Sequence, residues 1–233
     1  MKLERKEQDG GPSAEPVLRS DSPVTLLGAG PVNKADLQAM LALAPVLAAA
    51  DGAAHHAVAQ GLVPDAVIGD LDSFDRAAHP QIPADRIHHI AEQDSTDFDK
   101  ALRSIMAPFV LALGFVGARI DHELAAYHTL IKRADRRCAI IGPEDIVLHV
   151  PDRITLDLPM DTRVSLFPMA PVTARMAGLR WSFDALALAP DQRIGTSNAA
   201  SGGPVDLVFD APGMLLILPR DHLGAVLVAW CGA

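Results

Sequence analysis

Aromatic residues are scarce in this chain. Trp, Tyr and Phe together make up 4% of its 233 residues, so a core has to be built mainly from Ala, Leu, Val and Ile. Hydrophobic residues still reach 49%, ample for the one or two domains that this length implies. Cysteine is nearly absent. Cys138 lies in an apolar run and Cys231 near the end, a pair without metal-ligand spacing that argues against a disulfide framework. No apolar run approaches the ~20 residues needed to span a bilayer. The charged N-terminus lacks the apolar core of a secretion signal, so a cytoplasmic protein is expected. Positive charge is also short: 20 Lys and Arg stand against 29 Asp and Glu, for a formal net charge of −9. That balance argues against a nucleic-acid partner. An anionic substrate would need a metal or local Arg and Lys to bind.

What is present is an alternation of short apolar runs and helical patterns. Residues 1–22 are polar, contain Gly10-Gly11-Pro12, and read as a disordered leader. Strands are expected over 23–29, 46–50, 66–69, 87–90, 109–113 and 137–141. Helices are expected over 35–43, 53–60 and 121–132, with Asn33 as a cap and Gly61 as a stop. A further helix follows the capping-box-like Thr96-x-x-Asp99, with Phe98, Leu102, Ile105 and Met106 at helical spacing. Strand alternating with helix implies a parallel sheet covered on both faces. From about Ile146 the pattern changes to short strand-like runs punctuated by Pro and Gly, with no good helix between them. The expected fold is α/β: a three-layer, Rossmann-like parallel-sheet domain over 23–143, then a small antiparallel β-sandwich or barrel over 144–233.

Carboxylates follow the expected strands. Asp51 follows the second, Asp70 and Asp72 the third, and Asp94 and Asp97 the fourth, while Arg119, Asp121 and His122 follow the fifth. In a parallel sheet these ends lie along one edge, where ligands bind. Carboxylates converging there suit Mg²⁺, which takes oxygen ligands and shares them with phosphates. Each residue also has a plainer reading. Asp-x-Asp alone fits a solvated turn, and Asp97 fits the first turn of a helix, where the dipole favours a carboxylate. Asp121 fits a helix cap. Arg119 fits a surface charge, although a loop containing glycine beside it suits a phosphate clamp. No P-loop or dinucleotide fingerprint is present.

In combination the motifs are more specific. They are Asp51-Gly52-Ala53-Ala54, Gly69-Asp70-Leu71-Asp72-Ser73, Gln93-Asp94-Ser95-Thr96-Asp97-Phe98-Asp99-Lys100-Ala101-Leu102 and Gly117-Ala118-Arg119-Ile120-Asp121-His122, with Val164-Ser165-Leu166-Phe167-Pro168, Gly178-Leu179-Arg180-Trp181 and Thr196-Ser197-Asn198 later. In this order they resemble the thiamine pyrophosphokinase family, across nearly all of the chain past residue 22. The resemblance implies an α/β ATP-binding half, a β domain that contributes to thiamine binding, and a homodimer with shared sites. It implies transfer of the diphosphoryl group of ATP to the hydroxyethyl oxygen of thiamine, with Mg²⁺. By that resemblance Asp70, Asp72, Asp97 and Asp121 hold the metal and, with Arg119, form the catalytic set. Asp51, Gln93, Asp94, Asp97, Arg119 and Asp121 contact ATP, and Trp181, Ser197 and Asn198 contact thiamine. Ala53 and Ala118 stand where the family usually has glycine, each adding a methyl where backbone can approach a ligand. Two alternatives stay open: a D-x-D nucleotide-sugar glycosyltransferase, and a non-catalytic thiamine- or nucleotide-binding regulator.

Overall fold

The structure, a computed structural model, describes residues 15–232. Its strands are β1 (Leu18–Arg19), β2 (Val24–Leu27), β3 (Val46–Ala50), β4 (Ala66–Gly69), β5 (Ile87–His89), β6 (Ile105–Met106), β7 (Val110–Leu113) and β8 (Cys138–Ile141) in the first half. The second half adds β9 (Asp145–His149), β10 (Arg153–Leu158), β11 (Arg163–Pro168), β12 (Val172–Ala177), β13 (Phe183–Leu188), β14 (Gly195–Ala199), β15 (Gly203–Phe209) and β16 (Met214–Pro219). The helices are α1 (Lys34–Leu43), α2 (Ala53–Ala59), α3 (Asp97–Ser104), α4 (Ile120–Lys132) and α5 (Leu223–Cys231). No helix among the described residues is long and apolar enough to cross a membrane.

Strands β2, β3, β4, β7 and β8 are short apolar runs, and β2, β4, β7 and β8 are buried along their whole length. Such runs suit a parallel sheet covered on both faces. Successive side chains take opposite faces: Leu27, Ala49 and Val67 enter the core that includes residues of α1 and α2. Leu26, Ala48 and Ile68 enter the one with Phe98 and Leu102 of α3 and Leu130 of α4. Asn33 caps α1 by accepting from the Asp36 N–H at 2.8 Å. Thr96 caps α3 by accepting from the Asp99 N–H.

The sheet corrects one expectation. Strands β8, β7, β2, β3, β4 and β5 pair in parallel in that order, but the sheet does not end there. Strand β9 pairs antiparallel with β8, and β16, β11 and β14 extend it to ten strands. A mixed sheet therefore runs through both halves, where a parallel sheet and a separate sandwich were expected. A second, antiparallel sheet of order β10-β15-β12-β13 packs on it through Leu156, Ala174 and Leu207. The register explains the continuity: β8 and β9 are joined by a three-residue turn in which the Gly142 N–H donates to the Asp145 carbonyl at 2.8 Å. So short a connection forces antiparallel neighbours.

Smaller differences have local causes. The α3 pattern stops at Ser104, because Ile105 and Met106 leave the helix and pair with Leu18 and Arg19. That pairing also puts ordered structure inside the expected leader; residues 1–14 lie outside the described residues. Strand β13 is the most exposed one of the second half, and β14 is only partly buried. Helix α5 was missed because its run is apolar nearly all round, with Leu223, Val226 and Trp230 buried and Trp230 near Phe109.

Asp99 ties α3 to α4. It is 2% exposed and accepts from Lys132 Nζ at 2.7 Å and Arg133 Nε at 2.5 Å. Burial opposes its ionisation, but the two cations outweigh burial and hold its carboxyl below the ordinary value. Lys132 and Arg133 keep access to solvent when Asp99 is removed, so Asp99→Ala should cost about 1.5–3 kcal/mol, the worth of hydrogen bonds to a charged group, read as a lower urea midpoint. A depressed carboxyl stabilises the fold above its unfolded pKa and loses that stability as pH falls through the folded value. The gap between wild type and variant should therefore be full at neutral pH and narrow below about pH 4.

Candidate active site

The carboxyl ends of β2, β3, β4, β5 and β7 open onto one cavity of about 480 Å³. It sits where the strand order turns: β2 is flanked by β3 on one side and β7 on the other. Such switch points leave a crevice for ligands. Gly28, Gly30 and Gly114 line one part of the cavity, beside Phe115. A Cβ on Gly28 would lie 2.6 Å from the Gly114 carbonyl oxygen, and one on Gly114, at φ +77°, would lie 2.5 Å from that of Gly28. The Gly30 N–H donates to the Gly114 carbonyl at 2.8 Å. Only glycines allow two loops to meet this closely.

Carboxylates stand along the β3 and β4 side. Asp51, Asp70 and Asp97 each place a carboxylate oxygen within 4.8 Å of the others. Asp51 is 3% exposed. One of its oxygens accepts from the Ser73 N–H at 3.3 Å, and the other, Oδ1, is buried without a partner. Burial pushes the Asp51 carboxyl up, and the charge on Asp97 adds to that. Burial also pushes Asp97 up, against the pull of Lys100 and with Asp70 and Asp72 adding repulsion. Asp70 goes the other way, because the Lys100 ammonium beside it holds its carboxyl down. An orphaned oxygen within a group of repelling carboxylates is a donor set that a hard dication fits.

The backbone that aims these groups is strained. Asp51 has φ 45° and Leu71, between Asp70 and Asp72, has φ 62°. Left-handed non-glycine residues cost of order 1–3 kcal/mol each and collect at functional sites. Ser197 has φ 61° as well.

The other expected site residues are dispersed. Gln93 and Arg119 line the cavity, and Gln93 donates to Asp70 at 3.2 Å. Asp72 is exposed beside the cluster and accepts from the Ser73 hydroxyl at 3.0 Å. Asp94 is exposed outside the lining. Asp121 stands apart from the three carboxylates and holds Arg119 through a two-point ion pair with contacts of 3.2 and 2.6 Å. Ala53 is buried in the core with its methyl away from the cavity, whereas Ala118 lines the cavity.

Trp181, Ser197 and Asn198 do not line the cavity. Trp181 is 52% exposed. Asn198 is buried and uses its amide on Trp181's backbone, accepting from the N–H at 3.2 Å and donating to the carbonyl at 2.8 Å. The guanidinium of Arg180 lies 5.7 Å from the Trp181 ring centroid and is anchored by Asp161.

One central residue stands in a motif that carries the resemblance but is given no role by the sequence. Lys100 is 1% exposed, lines the cavity and reaches Asp70 at 2.6 Å and Asp97 at 3.4 Å. A lysine within a helix reads as a solvated residue. The available signal was its place in the buried stretch Phe98–Leu102, one turn beyond Asp97.

Residues 37–141 match the thiamin pyrophosphokinase catalytic domain. That stretch holds the three carboxylates, Lys100, Gln93 and Arg119. Thiamine pyrophosphokinase 1 of rice is 23% identical over 167 residues, 64% of this chain and 63% of its own length. A nematode homologue, thiamin pyrophosphokinase 1 of Caenorhabditis elegans, is 25% identical and matched over 65% of its length. The chain thus spans just under two thirds of these relatives. A solved protein from Lactobacillus plantarum superposes with a TM-score of 0.72 at 26% identity, covering 86% of this chain and 99% of that one. Thiamin pyrophosphokinase from Candida albicans superposes at 0.68 with 14% identity, over 89% and 94%, which shows a shared fold.

Gly69 tests the cluster's geometry. A Cβ there would fall 2.8 Å from Asp51 Cβ, too close to coexist. Gly69→Ala should displace Asp51 and cost about 2 kcal/mol by overpacking, measured as a lower denaturation midpoint. Retention of wild-type stability would mean that β3 and β4 are not held this tightly.

Proposed function

We propose that the chain is a thiamine pyrophosphokinase that transfers the β,γ-diphosphoryl unit of ATP to the hydroxyethyl oxygen of thiamine and releases AMP. The observation that carries this reading is the cluster of Asp51, Asp70 and Asp97 at the switch-point cavity, inside the stretch that matches the family's catalytic domain. Residues 23–143 are the ATP half. Residues 144–233 are the half that binds thiamine and makes the dimer. The two free cysteines, one buried and one exposed, accord with a reducing cytoplasm.

Phosphoryl-type transfer depends on positioning and on neutralising charge rather than on covalent help from protein. Mg²⁺ held by Asp51, Asp70 and Asp97, with Asp72 beside it, would supply charge neutralisation at the phosphate oxygens. ATP lies over the glycine loops at Gly28, Gly30 and Gly114. Gln93 orients Asp70 and contacts the nucleotide, with Asp94 at the edge of the site. Arg119 meets the phosphates at the cavity wall, oriented by its two-point pair with Asp121, and stabilises developing charge.

Thiamine carries a thiazolium cation, which suits an aromatic face. Trp181 offers a half-exposed ring whose backbone Asn198 fixes, with Ser197 beside it. Because Trp181 lies outside the cavity of its own chain, a second copy brings it there. Exposed apolar side chains support a homodimer: Ile120 and Leu124 next to Arg119, and Met160, Trp181 and Phe183 in the β half, are all more than 40% exposed.

Incubating the purified chain with ATP, Mg²⁺ and thiamine should yield one AMP per thiamine diphosphate. Asp70→Asn, which keeps shape and removes charge, should lower kcat by about a hundredfold or more, the range of one lost electrostatic group. AMP release that is independent of thiamine, or none at all from folded protein, would overturn the reading.

Trp181→Ala should raise the KM for thiamine by roughly 2–30-fold, the equivalent of about 0.5–2 kcal/mol of cation–π contact, and leave that for ATP unchanged. Mixed with Asp70→Asn subunits it should regain the wild-type KM for thiamine, since one site of the heterodimer then has both residues intact. Exchanged heterodimers that turn over only with the raised KM would place both residues in one subunit.

A further inference from the structure

Lys100 occupies the middle of the carboxylate cluster, and charge alone makes that place informative. Three carboxylates lie within 4.8 Å of one another. The ammonium of Lys100 sits 2.6 Å from Asp70 Oδ2 and 3.4 Å from Asp97 Oδ1. Its side chain is 2% exposed, so the charge cannot swing into solvent without opening the contact between α3 and the sheet. Helix geometry fixes it further: Asp97 and Lys100 are three residues apart on α3 and so neighbours on one face. Two oxygen-bridged divalent ions in an enzyme stand about 3.5–4 Å apart and are shared by carboxylates in this manner. The ammonium of Lys100 bridges two of the three carboxylates as one ion of such a pair would.

We infer that Lys100 is a built-in counter-cation that fills one of two cation positions between Asp51, Asp70 and Asp97, and so limits the nucleotide-free cluster to a single divalent ion. Three ionised carboxylates, one ammonium and one dication balance in charge, and Asp72 beside them adds one further negative charge. A second dication would leave a net positive cluster and press against the ammonium. Asp51 Oδ1 is buried without a partner, while Asp70 and Asp97 each give one oxygen to Lys100. Lys100 is therefore a positioning residue. It keeps Asp70 and Asp97 spaced and leaves the Asp51 side for the metal. This rests on the proposed divalent-ion site, and the test separates the two.

The experiment counts Mn²⁺ bound per chain in the absence of nucleotide, by the electron paramagnetic resonance of free Mn²⁺. It uses wild type, Lys100→Met, Lys100→Gln and Lys100→Arg, each checked for fold by circular dichroism. Wild type and Lys100→Arg should bind one ion. Lys100→Met and Lys100→Gln should bind two, and their melting temperature, lowered without metal by unshielded carboxylates, should rise with Mn²⁺ far more than that of wild type. Two ions on wild type would overturn the inference whether or not the neutral variants fold. One ion on folded neutral variants, at wild-type affinity, would overturn it too and make Lys100 a core ion-pair partner. No ion on wild type or on any folded variant would remove the metal from the cluster, and with it the reading beneath this inference.

Discussion

Mutual repulsion among Asp51, Asp70 and Asp97 is the constraint around which this fold is arranged. Carboxylates this close cannot all ionise without compensation, and two of the three are pushed toward the protonated form. What holds them together is covalent and steric. Asp51 is fixed on a left-handed backbone against Gly69. Asp70 leaves the adjacent strand, and Asp97 begins a helix packed on both. Lys100 is the one cation inside. The parallel sheet matters here because it makes three distant sequence segments end at one edge, and a covered sheet has no freedom to let them drift apart.

Next to that crowded wall the cavity is lined by the glycine loops at Gly28, Gly30 and Gly114, with Phe115 beside them. The Gly28 and Gly30 N–H groups tie these loops to Leu113 and Gly114. One wall thus offers charge and the loops offer close approach. Those are the two things a polyphosphate needs, and neither substitutes for the other. The second half of the chain contributes differently. Its rigid clamp of Asn198 on the Trp181 backbone fixes where an exposed ring stands.

Much of this was legible in the sequence, for physical reasons that vary by residue. Apolar runs such as Ala66–Gly69 are buried on both faces and read directly as parallel strands. Asp51, Asp70 and Asp97 could be placed on one edge because each follows such a run. Their grouping into three, with Asp72 and Asp121 outside, depends on side-chain directions set by φ at Asp51 and Leu71, which no pattern shows. Lys100 was hidden because a buried lysine is legible only once its partners are known. The continuous sheet was hidden because the pairing of one half's strands with the other's leaves no local pattern in the chain. Only the tight turn at Gly142 betrays that β9 doubles back on β8. Helix α5 was lost because a run apolar on all sides carries no face.

That turn has a mechanical consequence. With β8 and β9 zipped together, the two halves share one hydrogen-bonded sheet rather than a linker. A sheet of this kind resists bending about a line between its strands, so the molecule has no hinge there. Any closure over substrate must come from loops at the carboxyl edge or from a neighbouring copy. The same zipper makes the halves interdependent in assembly. A nascent chain ending near Gly142 would present β8, buried on both faces in the finished protein, as an open and sticky border. The first half is then sealed only when β9 arrives to cover that border.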